Sequence, residues 1–175
     1  MVKEPDTLNI FSLNARGLGD KKKRRAVFTW LNEKGPGIFL IQETHSYPEK
    51  ESEWRSMWDG AVQFSHGTSN SRGLAVLISN GLDINITNTE TDSDGRILIL
   101  TCITSTLNLT IVNIYAPTID RRTEQMVYAN SVRNILDKHK GNNIILGGDF
   151  NICLDNFVPD GLYSKNPGYS KAMLT

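Results

Sequence analysis

Short apolar runs separated by turn residues fill most of the chain, and their spacing predicts strands over Leu8 to Leu13, Ile38 to Ile41, Ala61 to Phe64, Leu74 to Ile78, Leu82 to Ile86, Ile97 to Ile103, Leu109 to Ile114 and Ile144 to Leu146. Some alternate with a period of two, as Leu82, Ile84 and Ile86 do around Asp83 and Asn85. Others, Ile38-Phe39-Leu40-Ile41 and Ile144-Ile145-Leu146, are apolar without a break, which suits strands covered on both faces.

Two segments carry the helical period instead. Lys21 to Lys34 places Val27, Phe28, Trp30 and Leu31 toward a core and ends at Gly35-Pro36-Gly37, with Asp20 as the expected N-cap. Thr123 to Lys140 does the same with Tyr128, Val132, Ile135 and Leu136, has Gly141 as its stop, and puts His139 where a helix dipole favours a cation. A shorter amphipathic stretch, Glu49 to Trp58, makes a third candidate helix. Because the chain from Ala61 to Ile114 reads as successive hairpins, the expected fold class is α/β with two packed β-sheets flanked by helices, in one domain without repeats or linkers.

Composition adds limits. The 175 residues hold 19 Lys+Arg against 19 Asp+Glu and only two cysteines, Cys102 and Cys153, without metal-ligand spacing. No stretch of about 18 apolar residues is present to span a bilayer, and Met1 to Asp6 lacks an apolar signal core, so no membrane partner and an intracellular location are expected. The triplets Asn85-Ile86-Thr87 and Asn108-Leu109-Thr110 then read as strand threonines rather than glycosylation sites. Net neutrality hides one basic segment: Arg16, Lys21, Lys22, Lys23, Arg24 and Arg25, interrupted by one acid, Asp20. Five cations at a helix start oppose the macrodipole, at ~0.3 kcal/mol each. Either a polyanion meets them there, or they form a solvated face or a nuclear-localisation run.

Four apolar runs end in polar residues: Leu13 in Asn14, Ile41 in Gln42-Glu43, Ile114 in Tyr115-Ala116-Pro117, and Leu146 in Gly147-Gly148-Asp149-Phe150-Asn151. Buried strands that emit polar side chains at their C-terminal ends gather them at one rim, where α/β proteins bind ligands. Two carboxylates with amide oxygens are hard ligands, suited to Mg²⁺ or Mn²⁺. Each residue alone has a plainer reading: a loop carboxylate, a turn asparagine, a core tyrosine.

Taken in order, Ser12-Leu13-Asn14, Ile41-Gln42-Glu43-Thr44-His45, Asn113-Ile114-Tyr115-Ala116-Pro117 and Gly147-Gly148-Asp149-Phe150-Asn151 resemble the endonuclease/exonuclease/phosphatase superfamily. Within it the chain is similar to the apurinic-like endonuclease domain that opens LINE-type (non-LTR) retrotransposon polyproteins. Arg72-Gly73 and Leu154-Asp155 extend the likeness. The resemblance implies a DNase I-like four-layer α/β sandwich and metal-assisted hydrolysis of DNA phosphodiester bonds. It gives Glu43 and Asn14 to the metal, Asp149 to the attacking water, Asn151 to that carboxylate and the phosphate, and Tyr115 to the phosphate region. DNA contacts are expected from Arg16, Lys21, Lys22, Lys23, Arg24, Arg25, His45, Arg72 and Thr118.

Two departures stand out. Thr118 occupies a position where the family usually has Asn. After Asn151 nothing matches the family's downstream acid or its Ser-Asp-His segment, and none of His45, His66 or His139 takes that place. The chain therefore reads as the front, truncated part of such a domain, with a helix beginning near Lys171 to Thr175 and an uncovered sheet edge. Activity of the chain alone is expected to be at background. The implied partners are DNA and a downstream reverse transcriptase domain, in the nucleus. The alternatives are a repair-type apurinic endonuclease related to exodeoxyribonuclease III, and an inactive relic that only binds nucleic acid.

Overall fold

The computed structural model describes residues 8–118 and 121–152. Within them eight strands form two four-stranded sheets packed face to face. The first sheet is built from β1 (Asn9–Asn14), β2 (Gly37–Gln42), β3 (Gly60–Ser65) and β4 (Leu74–Ser79), in the order β1-β2-β4-β3. The second is built from β5 (Asn85–Thr91), β6 (Ile97–Ile103), β7 (Asn108–Tyr115) and β8 (Asn143–Asp149), in that order. Each sheet has one parallel pair, β1 with β2 and β7 with β8, and each is closed by a crossover helix: α1 (Lys21–Asn32) and α3 (Arg122–Lys138).

Three apolar layers separate four layers of structure. Ile38, Leu40, Leu74 and Val76 of the first sheet face Leu98, Leu100, Cys102 and Ile111 of the second. The alternate residues, Phe39, Ile41, Ala75 and Leu77, face outward onto Phe28 and Leu31 of α1 and onto Trp54 and Trp58. On the far side Ile97, Ile99, Val112 and Ile114 pack under Val132, Tyr128 and Ile135 of α3. This is why β2 reads as an unbroken apolar run: its two faces enter two different cores. Each such buried aliphatic side chain contributes about 1.5–3 kcal/mol of transfer free energy.

The elements follow the sequence expectations with four corrections. The strand expected over Leu82 to Ile86 is displaced: Leu82 and Ile84 pack on the inter-sheet core from a turn, closed by Ile84 N–H donating to Leu82 O at 2.8 Å. The ladder begins at Asn85 and runs on through polar Thr89 and Glu90, because β5 is a sheet edge with one face in solvent. The segment from Glu49 to Trp58 is a 3-10 turn, Pro48–Lys50, followed by the short α2 (Glu51–Arg55). In α1 the buried stripe is Arg24, Phe28 and Leu31, spaced four and three apart, so Trp30 falls outside it. Its ring is exposed, with the Lys34 ammonium 4.7 Å from its centre. The helices also end slightly early, at Asn32 and Lys138.

Asp20 does cap α1, its Oδ1 accepting from Lys23 N–H at 2.7 Å. No helix among the described residues is long and apolar enough to cross a membrane. Met1 to Asp6, Cys153, Leu154-Asp155 and the helix expected near Lys171 to Thr175 lie outside the described residues.

Candidate active site

The space between the sheets changes character along its length. Toward the sandwich, β2 contributes Ile38, Leu40 and then Gln42, and β7 contributes Leu109, Ile111, then Asn113 and Tyr115. At the amide level the sheets are stitched together. Gln42 Nε2 donates to Asn113 Oδ1 at 2.7 Å, and Asn113 Nδ2 donates across the gap to Ile41 O at 3.1 Å and Ala75 O at 3.0 Å. Both side chains are buried, so every partner matters. Apolar contact thus gives way to neutral amides, and one step further to charge.

At that last step four strand ends converge. Asn14 closes β1, Glu43 follows β2, Tyr115 closes β7, and Asp149, its register partner on the parallel neighbour, closes β8. Asn14 Nδ2 donates to Glu43 Oε1 and to Asp149 Oδ2, both at 2.8 Å. Tyr115 Oη donates to the same Glu43 oxygen at 2.9 Å. Burial, and then the carboxylate of Glu43 beside it, push the Tyr115 phenol up, which keeps it protonated as a donor. Asp149 Oδ1 accepts from Asn151 N–H at 3.0 Å, and the Asn151 side chain donates to Ala116 O at 2.7 Å.

The backbone is shaped for this. Five non-glycine residues have left-handed φ among the described residues, Arg16, Glu43, His45, Arg72 and Asn151, and all lie on loops at this rim. The Gly147-Gly148 pair has a steric cause: a Cβ on Gly147 would meet Leu40 Cδ1 at 2.5 Å, and one on Gly148 would meet Ile114 O at 2.0 Å. Only a bare backbone brings Asp149 this close to the first sheet.

For a cation the donor set is small but suitable. Glu43 Oε2 has no protein partner among the described residues, while Oε1 carries both hydrogen bonds. Those residues contain no cluster of three or more His, Cys, Asp and Glu. One open carboxylate edge, with Asp149 nearby, fits a hard ion that keeps most of its shell as water and phosphate oxygen, as Mg²⁺ does. Asn14 is oriented differently from the expectation of a metal ligand. Its Oδ1 accepts from Arg16 N–H at 3.1 Å, so the amide offers donors to the two acids and ties them together.

The expected DNA contacts separate into two groups. Arg24 is a correction: its guanidinium is 1% exposed, donates to Leu18 O and Glu53 Oε2 at 2.9 Å, and lies over the Trp54 ring. Helical periodicity turns it into the core, where it pins the loop before α1. Lys23 is exposed but its Nζ is engaged, donating to Ala15 O and Arg16 O at 2.8 and 2.9 Å. Arg16, Lys21, Lys22 and Arg25 remain exposed, as does Thr118. His45 packs its ring against Gly17, where a Cβ would lie 2.9 Å from Nδ1, and Arg72 pairs with Asp94 at 3.2 Å.

From the sequence Gln42 and Asn113 are only members of motifs, without a role, and neither Arg96 nor Gln125 is singled out. Arg96 lies over the Tyr115 ring at 5.2 Å and donates to Tyr115 O at 3.0 Å, and Gln125 donates to Pro117 O at 2.9 Å. An amide inside an apolar strand, as at Asn113, was the one signal available for these. His139 sits at the end of α3 as expected, 3.7 Å from Glu90.

The chain belongs to the endonuclease/exonuclease/phosphatase family, whose model matches residues 7–167. It is similar to the transposon TX1 uncharacterized 149 kDa protein of Xenopus laevis, 31% identical over 149 residues, which are 85% of this chain and 11% of that protein. Among solved structures it resembles TDP2 of Caenorhabditis elegans, with TM-score 0.62 and 20% identity, covering 88% of this chain and 51% of that one. It likewise resembles an AP endonuclease of Archaeoglobus fulgidus, with TM-score 0.62 and 21% identity, covering 83% and 58%. The fold is the DNase I-like sandwich that these solved structures share.

Proposed function

We propose that the chain carries the front part of a metal-dependent endonuclease that nicks DNA for a LINE-type retrotransposon. The observation that carries this is the Asn14 amide bonded at 2.8 Å to both Glu43 and Asp149, which sets two half-buried carboxylates side by side at one strand-end rim. Glu43, with its open oxygen edge, would hold Mg²⁺ or Mn²⁺. A bound cation would supply charge neutralisation on the phosphoryl oxygens. Asp149 orients and deprotonates the attacking water, Asn151 fixes that carboxylate through its backbone N–H, and the Tyr115 hydroxyl keeps Glu43 in place. Exposed Lys21, Lys22 and Arg25, with Arg16, would track the phosphate backbone.

Similarity to a transposon protein favours the retrotransposon reading. That reading brings with it the further proposals of a reverse transcriptase in the same polypeptide and a nuclear site of action. The 175 residues contain no Ser-Asp-His sequence, so the chain alone should nick at background. The test is plasmid nicking in Mg²⁺ by this chain and by a version extended with the downstream segment of its gene. Nicking that appears only with the extension supports the reading. Robust EDTA-sensitive nicking by the 175-residue chain would show that the downstream groups are dispensable, and preference for abasic over intact duplex would favour a repair enzyme.

A further inference from the structure

Beyond Glu43, from Thr44 and Ser46 to His66 and Glu51, runs a row of side-chain hydrogen bonds that phosphodiester hydrolysis leaves unused. The Thr44 and Ser46 hydroxyls are 2.9 Å apart, Ser46 Oγ is 3.0 Å from His66 Nδ1, and His66 Nε2 is 2.9 Å from Glu51 Oε1. Glu51 is also held by Arg55 at 2.9 Å, and the His66 ring stacks on Phe64. Burial works to raise the Glu51 carboxyl, but hydrogen bonds from His66 and Arg55 outweigh it and hold it below the usual range. An ionised carboxylate only accepts, so His66 Nε2 carries a proton. In a neutral ring Nδ1 then accepts from Ser46, and Ser46 accepts from Thr44.

The Ser-His-Glu order suggests a nucleophile, yet Ser46 is 2% exposed and its hydroxyl is already shared with Thr44 and His66. The row ends on the main chain that aims Glu43. Glu43 and His45 both have left-handed φ, on either side of fully buried Thr44. Backbone bonds hold that turn to its neighbours: Thr44 N–H to Gly73 O and His45 N–H to Arg72 O, both at 3.0 Å, and Gly17 N–H to Glu43 O at 2.7 Å. The Thr44 side chain is fixed from behind by Ser46 alone on one side and close-packed Gly73 on the other, where a Cβ would lie 2.5 Å from Oγ1.

We infer that His66 is a positioning residue for Glu43, locking the left-handed turn through Ser46 and Thr44 so that the carboxylate meets Asn14 and Tyr115. This rests on Glu43 being the metal-holding acid. The test uses the 175-residue chain with two isosteric variants. His66→Asn keeps a polar atom near the Nδ1 position facing Ser46, and His66→Gln keeps one near the Nε2 position facing Glu51. Amide hydrogen exchange at Thr44 and His45 should rise about tenfold in His66→Gln and His66→Ala, Mg²⁺ affinity by calorimetry should fall about tenfold, and His66→Asn should stay near wild type. Amides of β6 should be unaffected. If His66→Ala does not fold, Ser46→Ala breaks the row with the ring in place and should reproduce the His66→Gln pattern. Unchanged exchange at Thr44 and His45, or equal acceleration in all amides, overturns the inference. A wild-type chain that binds no Mg²⁺ defeats the metal reading instead, while the exchange pattern still decides the role of His66.

Discussion

Glu43 and Asp149 share one amide donor but are held in opposite ways. Asp149 is the last residue of a strand, its place fixed by register with Tyr115, and both its oxygens are engaged. Glu43 lies one residue past its strand, on a left-handed turn tethered from two loops, and has one oxygen free of protein partners among the described residues. A carboxylate fixed by sheet register suits a task that tolerates no displacement, such as holding a water for in-line attack. One on a tethered loop with an open edge suits a ligand that comes and goes.

Substitutions can break this division. In the extended protein, Asp149→Asn is expected to lower nicking ~10²–10⁴-fold, the usual cost of losing a general base, with no recovery at high Mg²⁺. Glu43→Gln should weaken Mg²⁺ by at least the ~10-fold that even outer-sphere partners are worth, and excess Mg²⁺ should restore part of the rate. The opposite pattern of rescue, read from plasmid nicking across Mg²⁺ concentrations, would exchange the two roles.

The link between the two sides can be cut without touching either acid. Asn113→Leu leaves Ile41 O, Ala75 O and Gln42 Nε2 short of partners inside the sandwich. At ~1–3 kcal/mol for an orphaned buried group, a loss of about 3 kcal/mol is expected in urea unfolding. A loss below about 1 kcal/mol would mean that water replaces the missing amide.

The basic segment offers a gentler contrast. Replacing Lys21, Lys22 and Arg25 with Gln should flatten the salt dependence of DNA affinity by ~0.9 per lost contact, two or three units in all, by fluorescence anisotropy. Arg24→Gln should instead destabilise the fold and leave that slope alone, because its charge already faces Glu53. A smaller pH effect belongs to Glu51. Its folded carboxyl lies below its unfolded value, so its stabilisation is present above pH ~4.5 and is lost as pH falls through the folded value. Thermal melts from pH 6 to pH 3 should therefore drop less steeply for Glu51→Gln than for the wild type.

The layered fold was legible because β2, β6 and β7 each feed two apolar layers, and that demand writes itself into composition. The rim residues were legible for a related reason: Asn14, Glu43, Tyr115 and Asp149 each interrupt an apolar run at its end. What stayed hidden depends on angles that composition does not carry. Arg24 looks like its basic neighbours and differs only by its phase on the helix. β5 is polar on most positions because it is an edge, so its ladder was placed too early. Asn113 looked like a strand residue because its partners, Gln42, Ile41 and Ala75, lie on the other sheet, which no local pattern reveals.

The hydrogen bond from Asn14 to Asp149 joins residues 135 apart in sequence. At ~5–20 residues per second of synthesis, roughly ten seconds pass between the appearance of one and the other. The parallel pairing of β7 with β8 must also close over the whole of α3, and such long-range pairings form slowly. A half-made chain on the ribosome therefore carries Glu43 and the basic helix well before Asp149 can reach Asn14. The order of the strands works as a timer: the rim is complete only after β8, the last strand among the described residues, has been made.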